Sequence, residues 1–189
     1  MLSTGTVALG EMGDKTQLMA VLMAARYRRP WTIIAGIFAA TLLTHSAAAA
    51  LGAGLTELLD PKWMRWGLGL GFIAVGAWML IPEDDDDDGA APPVRNVGLW
   101  SLFGLTMAVF VAAELGDKSQ VATLMLAARF ESLAAVISGA TLGEMLAITP
   151  AVLLGQGMLS RLPMRWLHVA AAVVFAVLGV AVLLGLGGD

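Results

Sequence analysis

Two stretches of the 189-residue chain, Glu11-Met12-Gly13-Asp14-Lys15-Thr16-Gln17 and Glu114-Leu115-Gly116-Asp117-Lys118-Ser119-Gln120, carry the same order of acid, glycine, acid, lysine, hydroxyl and amide inside apolar surroundings. A shift of 103 residues lays one on the other. Over the 16 positions from Glu11 to Arg26, eight are identical: Glu11, Gly13, Asp14, Lys15, Gln17, Ala24, Ala25 and Arg26 meet Glu114, Gly116, Asp117, Lys118, Gln120, Ala127, Ala128 and Arg129. Gly36 and Gly52 meet Gly139 and Gly155 at the same shift. Met64-Arg65-Trp66 recurs as Met164-Arg165-Trp166 with a small change in spacing. Self-similarity of this length marks a duplication.

The surroundings decide the class. The chain is 58% hydrophobic and only 14% charged, against about 25% charged in a soluble domain, and its mean hydropathy is +0.80. A helix needs about 20 apolar residues to cross a bilayer. Runs of that kind cover 3–25, 31–55, 63–82, 98–128, 132–157 and 164–187, with breaks at Arg28-Arg29-Pro30, Asp60-Pro61-Lys62, Pro82 through Pro93, Glu131-Ser132 and Arg161-Leu162-Pro163. The expected fold is an all-α membrane protein of six transmembrane helices, arranged as two three-helix repeats, 1–82 and 98–189. An acidic, proline-containing linker, 83–97, joins them. An odd number of spans per repeat makes the two copies enter the lipid bilayer from opposite sides, which is an inverted repeat of the kind that suits alternating access.

Arg26, Arg28, Arg29, Arg95, Arg161 and Arg165 fall on one side of these spans and Lys62, Arg65 and Arg129 on the other. The positive-inside bias puts the first group in the cytoplasm, with the linker, and both termini outside. The first apolar stretch lacks a basic leader and contains Glu11, Asp14 and Lys15, so it is expected to be retained. Its ten residues before Glu11 make it short at the outer end. The chain has no cysteine, which excludes thiolate metal sites and cysteine nucleophiles. The formal charge of −4 comes largely from Glu83 to Asp88, a solvated linker without the spaced ligands and glycine turn of an EF-hand, and gives no indication of a nucleic-acid partner.

On an unbroken helix Glu11, Asp14 and Lys15 fall within an arc of about 100°, with Gln17 beside it; Glu114, Asp117, Lys118 and Gln120 repeat the pattern. A charged residue at mid-membrane costs about 2.5–3.5 kcal/mol on insertion scales and normally faces a partner or a watered cavity. Salt bridges at i, i+4, Glu11 to Lys15 and Glu114 to Lys118, are the plainer explanation. They leave two acids in excess. If the first and fourth spans face each other, that excess matches one divalent cation, or about two protons when the cation leaves. Carboxylate, amide and hydroxyl oxygens suit hard or borderline ions such as Mg²⁺, Ca²⁺ and Mn²⁺.

The residues expected to hold the ion are Glu11, Asp14, Glu114 and Asp117, with Gln17 and Gln120 behind them. Lys15 and Lys118 are gating or charge-compensating candidates. Thr16 and Ser119, about 140° around the helix, reach the ion only if the helix unwinds, which Gly13 and Gly116 would permit together with the exposure of backbone carbonyls. Glu144, inside the fifth span, is a proton relay, an auxiliary ligand or a packing residue. His45 is expected to be a satisfied core residue. Met19 and Met125 lie near the motifs but read mainly as packing, as do the small residues of 47–50 and 170–172.

With these residues assembled, the chain resembles the Gdt-type family of cation/proton antiporters, whose signature E-x-G-D-[KR]-[ST] stands once in each of two three-span halves. Here it reads Glu11-Met12-Gly13-Asp14-Lys15-Thr16 and Glu114-Leu115-Gly116-Asp117-Lys118-Ser119. The resemblance covers essentially the whole chain. It implies exchange of Ca²⁺ or Mn²⁺ for protons, manganese export in bacteria, and a cation site at Glu11, Asp14, Glu114 and Asp117. The expected protein is therefore a multi-pass carrier of the bacterial inner membrane, not an enzyme. It needs no prosthetic group, and Mn²⁺ or Ca²⁺ is its cargo. An exporter of amino acids or other small cations would need a roomier pocket and fewer stacked carboxylates. An intramembrane aspartyl protease would need one aspartate per helix and no repeated glutamates or lysines. A passive cation channel would ignore the pH gradient.

Overall fold

The computed structural model describes residues 15–58, 60–80, 97–130, 132–154 and 164–185, most of them in helices. Seven helices follow in order: α1 Lys15–Tyr27, α2 Pro30–Leu58, α3 Pro61–Met79, α4 Leu99–Glu114, α5 Lys118–Arg129, α6 Leu133–Leu154 and α7 Met164–Leu183. The expected breaks at Pro30 and Pro61 fall where proline starts a helix without losing a needed N–H. Asp60 caps α3, its carboxylate accepting the Lys62 N–H at 2.9 Å. Glu11, Asp14 and the linker from Glu83 to Asp88 lie outside the described residues.

By length and apolarity α2, over Pro30–Thr56, and α6 are long enough to cross a membrane, and α4 with α5 make a third candidate if the pair is one span. The last case departs from the expected straight span at 98–128. Its two parts meet at 73°, broken at the second motif.

The strongest pairing joins α3 to α7, and it is made by glycines. A methyl group on Gly76 would stand 2.9 Å from the Ala172 carbonyl oxygen, and one on Gly179 would stand 2.7 Å from that of Gly69. Both are below any real contact, so these backbones touch only because no side chain intervenes. Under the 103-residue shift Gly76 maps to Gly179 and Gly69 to Ala172, so the two contacts are copies of each other. Between them Phe72 packs on Phe175, its own repeat mate, with ring centroids 6.0 Å apart. The duplication thus has a counterpart in the contacts.

Two apolar clusters form the core. One holds Phe72, Phe175, Leu126, Val136 and Ala49; the other holds Met23, Ile33, Ile37, Phe110 and Ile148. Met125 packs against the first and Met19 against the second, as expected of packing residues. Along α2 the polar run Thr41, Thr44 and His45 lies between Ile37 and Ala49. Along α6 Thr141 and Glu144 lie between Val136 and Ile148. The outer surface is apolar as well, with Leu51, Leu146, Trp31, Trp63, Trp100 and Trp166 all at least 60% exposed. A surface of this kind is suited to lipid, and tryptophan is a side chain that favours the headgroup level.

Gly179→Ala is expected to lower stability by about 1–3 kcal/mol, since its new methyl meets backbone that cannot step aside. Gly104→Ala, where nothing lies within 4 Å, should be neutral or stabilising by up to about 1 kcal/mol. Thermal unfolding in detergent of the two variants separates these outcomes.

Candidate cation site

The second motif is where the chain stops being a helix. α4 ends at Glu114, and Gly116 takes φ +84°, a conformation strained for any residue with a side chain. Asp117 then starts α5 as its cap: its Oδ2 accepts the Ser119 N–H at 3.3 Å and the Ser119 hydroxyl at 3.0 Å. Gln120 turns back to accept the Gly116 N–H at 3.1 Å. These bonds satisfy donors that a broken helix would otherwise leave bare. The unwinding that Gly116 was expected to permit is present, and it corrects the expectation of a single stripe. Glu114 and Asp117 sit on opposite ends of a corner, and Lys118 opens the next helix, half-buried, out of i, i+4 helical register with Glu114.

The corner points its acid at α2. Glu114 is 2% exposed; one of its oxygens accepts the Thr41 hydroxyl at 3.3 Å and the other accepts the Thr44 hydroxyl. From the other side the same Thr41 hydroxyl lies 3.0 Å from Glu144 of α6, which is 1% exposed. Thr41 and Glu144 are repeat mates, 103 residues apart. One repeat offers a hydroxyl where the other offers an acid, and the two meet.

A hydroxyl has one proton to donate. Thr41 can give it to Glu114 or to Glu144 but not to both. The second carboxylate then faces an oxygen lone pair, a repulsive contact that a proton or a cation between them removes. The pair is thus an acceptor-rich pocket, buried deep enough for that positive charge to be held strongly.

Around it stand further polar groups. Gln17 of α1, 2% exposed, donates to the Ala147 carbonyl at 2.7 Å. That carbonyl lies one turn before Pro150, which has no N–H for the helix ladder and disturbs the carbonyls of the preceding turn. Thr16 is buried, as is Ser119. His45 is 1% exposed, and its Nδ1 lies 3.5 Å from the Thr141 hydroxyl. Its Nε2 faces Glu144 Oε2 at 3.7 Å, and neither atom has a hydrogen-bond partner among the described residues. The ring lies in the core, as expected, and among the described residues its Nε2 has no hydrogen-bond partner.

Of the sequence-predicted residues, Glu114, Asp117, Ser119, Gln120 and Glu144 gather at or beside the corner, and Gln17 and Thr16 are buried on α1. Glu11 and Asp14 fall outside the described residues, as does the side chain of Lys15. Among the described residues no three His, Asp or Glu side chains form a metal-binding group by themselves. Thr41 and Thr44 went unread in the sequence. Their signal was a pair of hydroxyls one turn apart inside the apolar run of α2, with Thr41 at the repeat position of Glu144.

A family model described as "Divalent cation/proton antiporter GDT1" matches residues 1–87 and 102–188, one segment in each half of the chain. The chain belongs to the GDT1 family. It is an integral membrane protein and a divalent cation/proton antiporter. It is 39% identical over 181 residues to a Vibrio cholerae protein named "Putative manganese exporter", covering 95% of this chain and 88% of that protein. It is 26% identical over 209 residues to GDT1-like protein 5 of Arabidopsis thaliana, covering 93% and 91%, and 24% identical over 188 residues to a GDT1-like protein of Synechocystis sp., covering 89% and 88%. No solved structure matches the chain.

Thr41→Val leaves the two acids of this GDT1-family site without their shared donor. It is expected to destabilise the protein by about 1–3 kcal/mol, the cost of an unsatisfied buried polar group. Thr41→Ser should retain most of the stability. Thermal unfolding of both variants in detergent tests the assignment.

Proposed function

We propose that this protein exchanges one Mn²⁺ or Ca²⁺ ion for about two protons, exporting manganese across a bacterial inner membrane. One observation carries it: two buried acids, Glu114 and Glu144, meet at a single hydroxyl that can serve only one of them. Such a pair needs positive charge and accepts it as a metal ion or as protons. Mutually exclusive occupancy of one pocket is what an antiporter requires.

The seat consists of Glu114 and Asp117 from the second motif and, by the repeat, Glu11 and Asp14 from the first. Gln17, Gln120, Thr16 and Ser119 support it, Lys15 and Lys118 balance its charge, and Glu144 joins it as a further acid. The corner at Leu115–Asp117 adds the C-terminal end of α4, whose dipole attracts cations, close to the amide end of α5. The name of the Vibrio cholerae relative favours manganese.

The working architecture is six spans in two inverted repeats, 1–82 and 98–189, with both termini outside and the 83–97 linker in the cytoplasm. The contacts that repeat under the 103-residue shift support a two-fold relation of the halves. Rocking of one repeat on the other about α3 and α7 would open the seat to either face.

Uptake of Mn²⁺ and Ca²⁺ into proteoliposomes, with and without an imposed pH gradient, tests this. Gradient-driven flux is expected for the wild type and is expected to fall to background in Glu114→Gln, whose amide can still bond to Thr41 and Thr44. Lys62→Gln, on an exposed helix end, should transport normally. Flux indifferent to the gradient would make the protein a passive channel.

A further inference from the structure

The antiport reading uses oxygen ligands alone and leaves one buried group of the same neighbourhood unexplained. His45 Nε2 and Glu144 Oε2 are both fully enclosed, both lack a hydrogen-bond partner among the described residues, and face each other 3.7 Å apart. That is too far for a hydrogen bond between them. Leaving two polar atoms unmet in the core costs about 1–3 kcal/mol for each, so the gap between them calls for an occupant.

We propose that His45 is a nitrogen ligand of the transported cation, binding through Nε2 opposite Glu144 Oε2, and that it makes the seat select first-row transition-metal ions over Ca²⁺. The inference rests on the antiport reading and names the discriminating residue within it. Two ligand atoms each about 2.0–2.2 Å from one ion stand roughly 3–4 Å apart when the ion lies between them, and 3.7 Å falls in that range.

The rest of the ring fits the role. A metal-binding imidazole gives its other N–H to an oxygen, which fixes the tautomer and aims the free lone pair. The Thr141 hydroxyl lies 3.5 Å from Nδ1 to receive it. Glu144 in turn reaches Glu114 through the one Thr41 hydroxyl. The nitrogen is therefore continuous with the acids of the motif and is not a separate site.

The repeat makes the arrangement one-sided. The shift of 103 residues carries His45 to Ile148, so the second half has no imidazole to match. Four motif acids repeated in both halves give oxygen chemistry that Ca²⁺ accepts as readily as Mn²⁺. A single imidazole breaks that equality, because Ca²⁺ takes oxygen ligands whereas nitrogen binds transition-metal ions in the order Mn²⁺ below Fe²⁺ and Co²⁺.

The experiment compares wild type with His45→Gln and His45→Asn by two readouts. In proteoliposomes, KM for Mn²⁺ should rise at least about tenfold in the variants, on the scale of lost metal-site support, while KM for Ca²⁺ stays within about twofold. In the purified full chain, electron spin echo spectra of bound Mn²⁺ should carry imidazole nitrogen modulation that the variants lose. Equal loss for both ions, unchanged kinetics for both, or Mn²⁺ bound without nitrogen modulation would each overturn the assignment. If the wild type carries neither ion, the antiport reading fails, and the nitrogen modulation alone decides whether His45 is a ligand.

Discussion

Glu114 is an acid with almost no access to water, met by two threonine hydroxyls that lie 70 and 73 residues earlier in the chain. Carboxylates in apolar surroundings are costly unless each lone pair meets a donor or a cation, and much of the local structure answers that cost. The chain breaks between α4 and α5 so that Glu114 ends one helix and Asp117 caps the next. Thr41 and Thr44 stand one turn apart on α2 so that each oxygen of Glu114 lies against a hydroxyl, the one from Thr41 being shared with Glu144. Among the described residues Glu144 Oε2 and His45 Nε2 remain without a hydrogen-bond partner, and the proposed seat of the cargo lies between them.

The apolar part of the fold makes the polar part possible. α3 and α7 approach through Gly69, Gly76 and Gly179, and the stacked Phe72 and Phe175 fill the space between them. Dispersion at such close range is the main attraction open to helices whose surroundings are as apolar as they are. The two clusters above and below the polar run on α2 and α6 exclude water from it, which strengthens every charge interaction inside. A tightly packed frame around an acceptor-rich centre is what the proposed exchange of a metal ion for protons in one pocket requires.

Duplication supplies near-equivalence, and its exceptions supply direction. Thr41 stands where the other repeat has Glu144, and His45 where it has Ile148. Two states of an exactly symmetric carrier would be equal in energy. In the proposed carrier, substitutions at the repeat-related centre would bias them and differentiate the groups offered to the ion. Hydroxyl against acid, and imidazole against alkyl, are the differences that the described site presents.

Helical class, apolar surroundings, the punctuation at Pro30 and Pro61, and the motif acids were all legible in the sequence, because they depend on local composition and on a repeat that survives in residue identities. Gly116 likewise announced a place where the helix could open. The 73° corner, the bond from Gln17 to Ala147, the sharing of Thr41 by two acids and the unsatisfied nitrogen of His45 were not legible. Each pairs residues from 73 to 130 positions apart or turns on a backbone angle that several residues settle together, and no local pattern encodes which hydroxyl meets which acid. Residue identities set what chemistry the chain could place in a membrane; which of those groups meet depends on the folded packing, because only close-range contact fixes distances to the fraction of an ångström on which hydrogen bonding and metal binding depend.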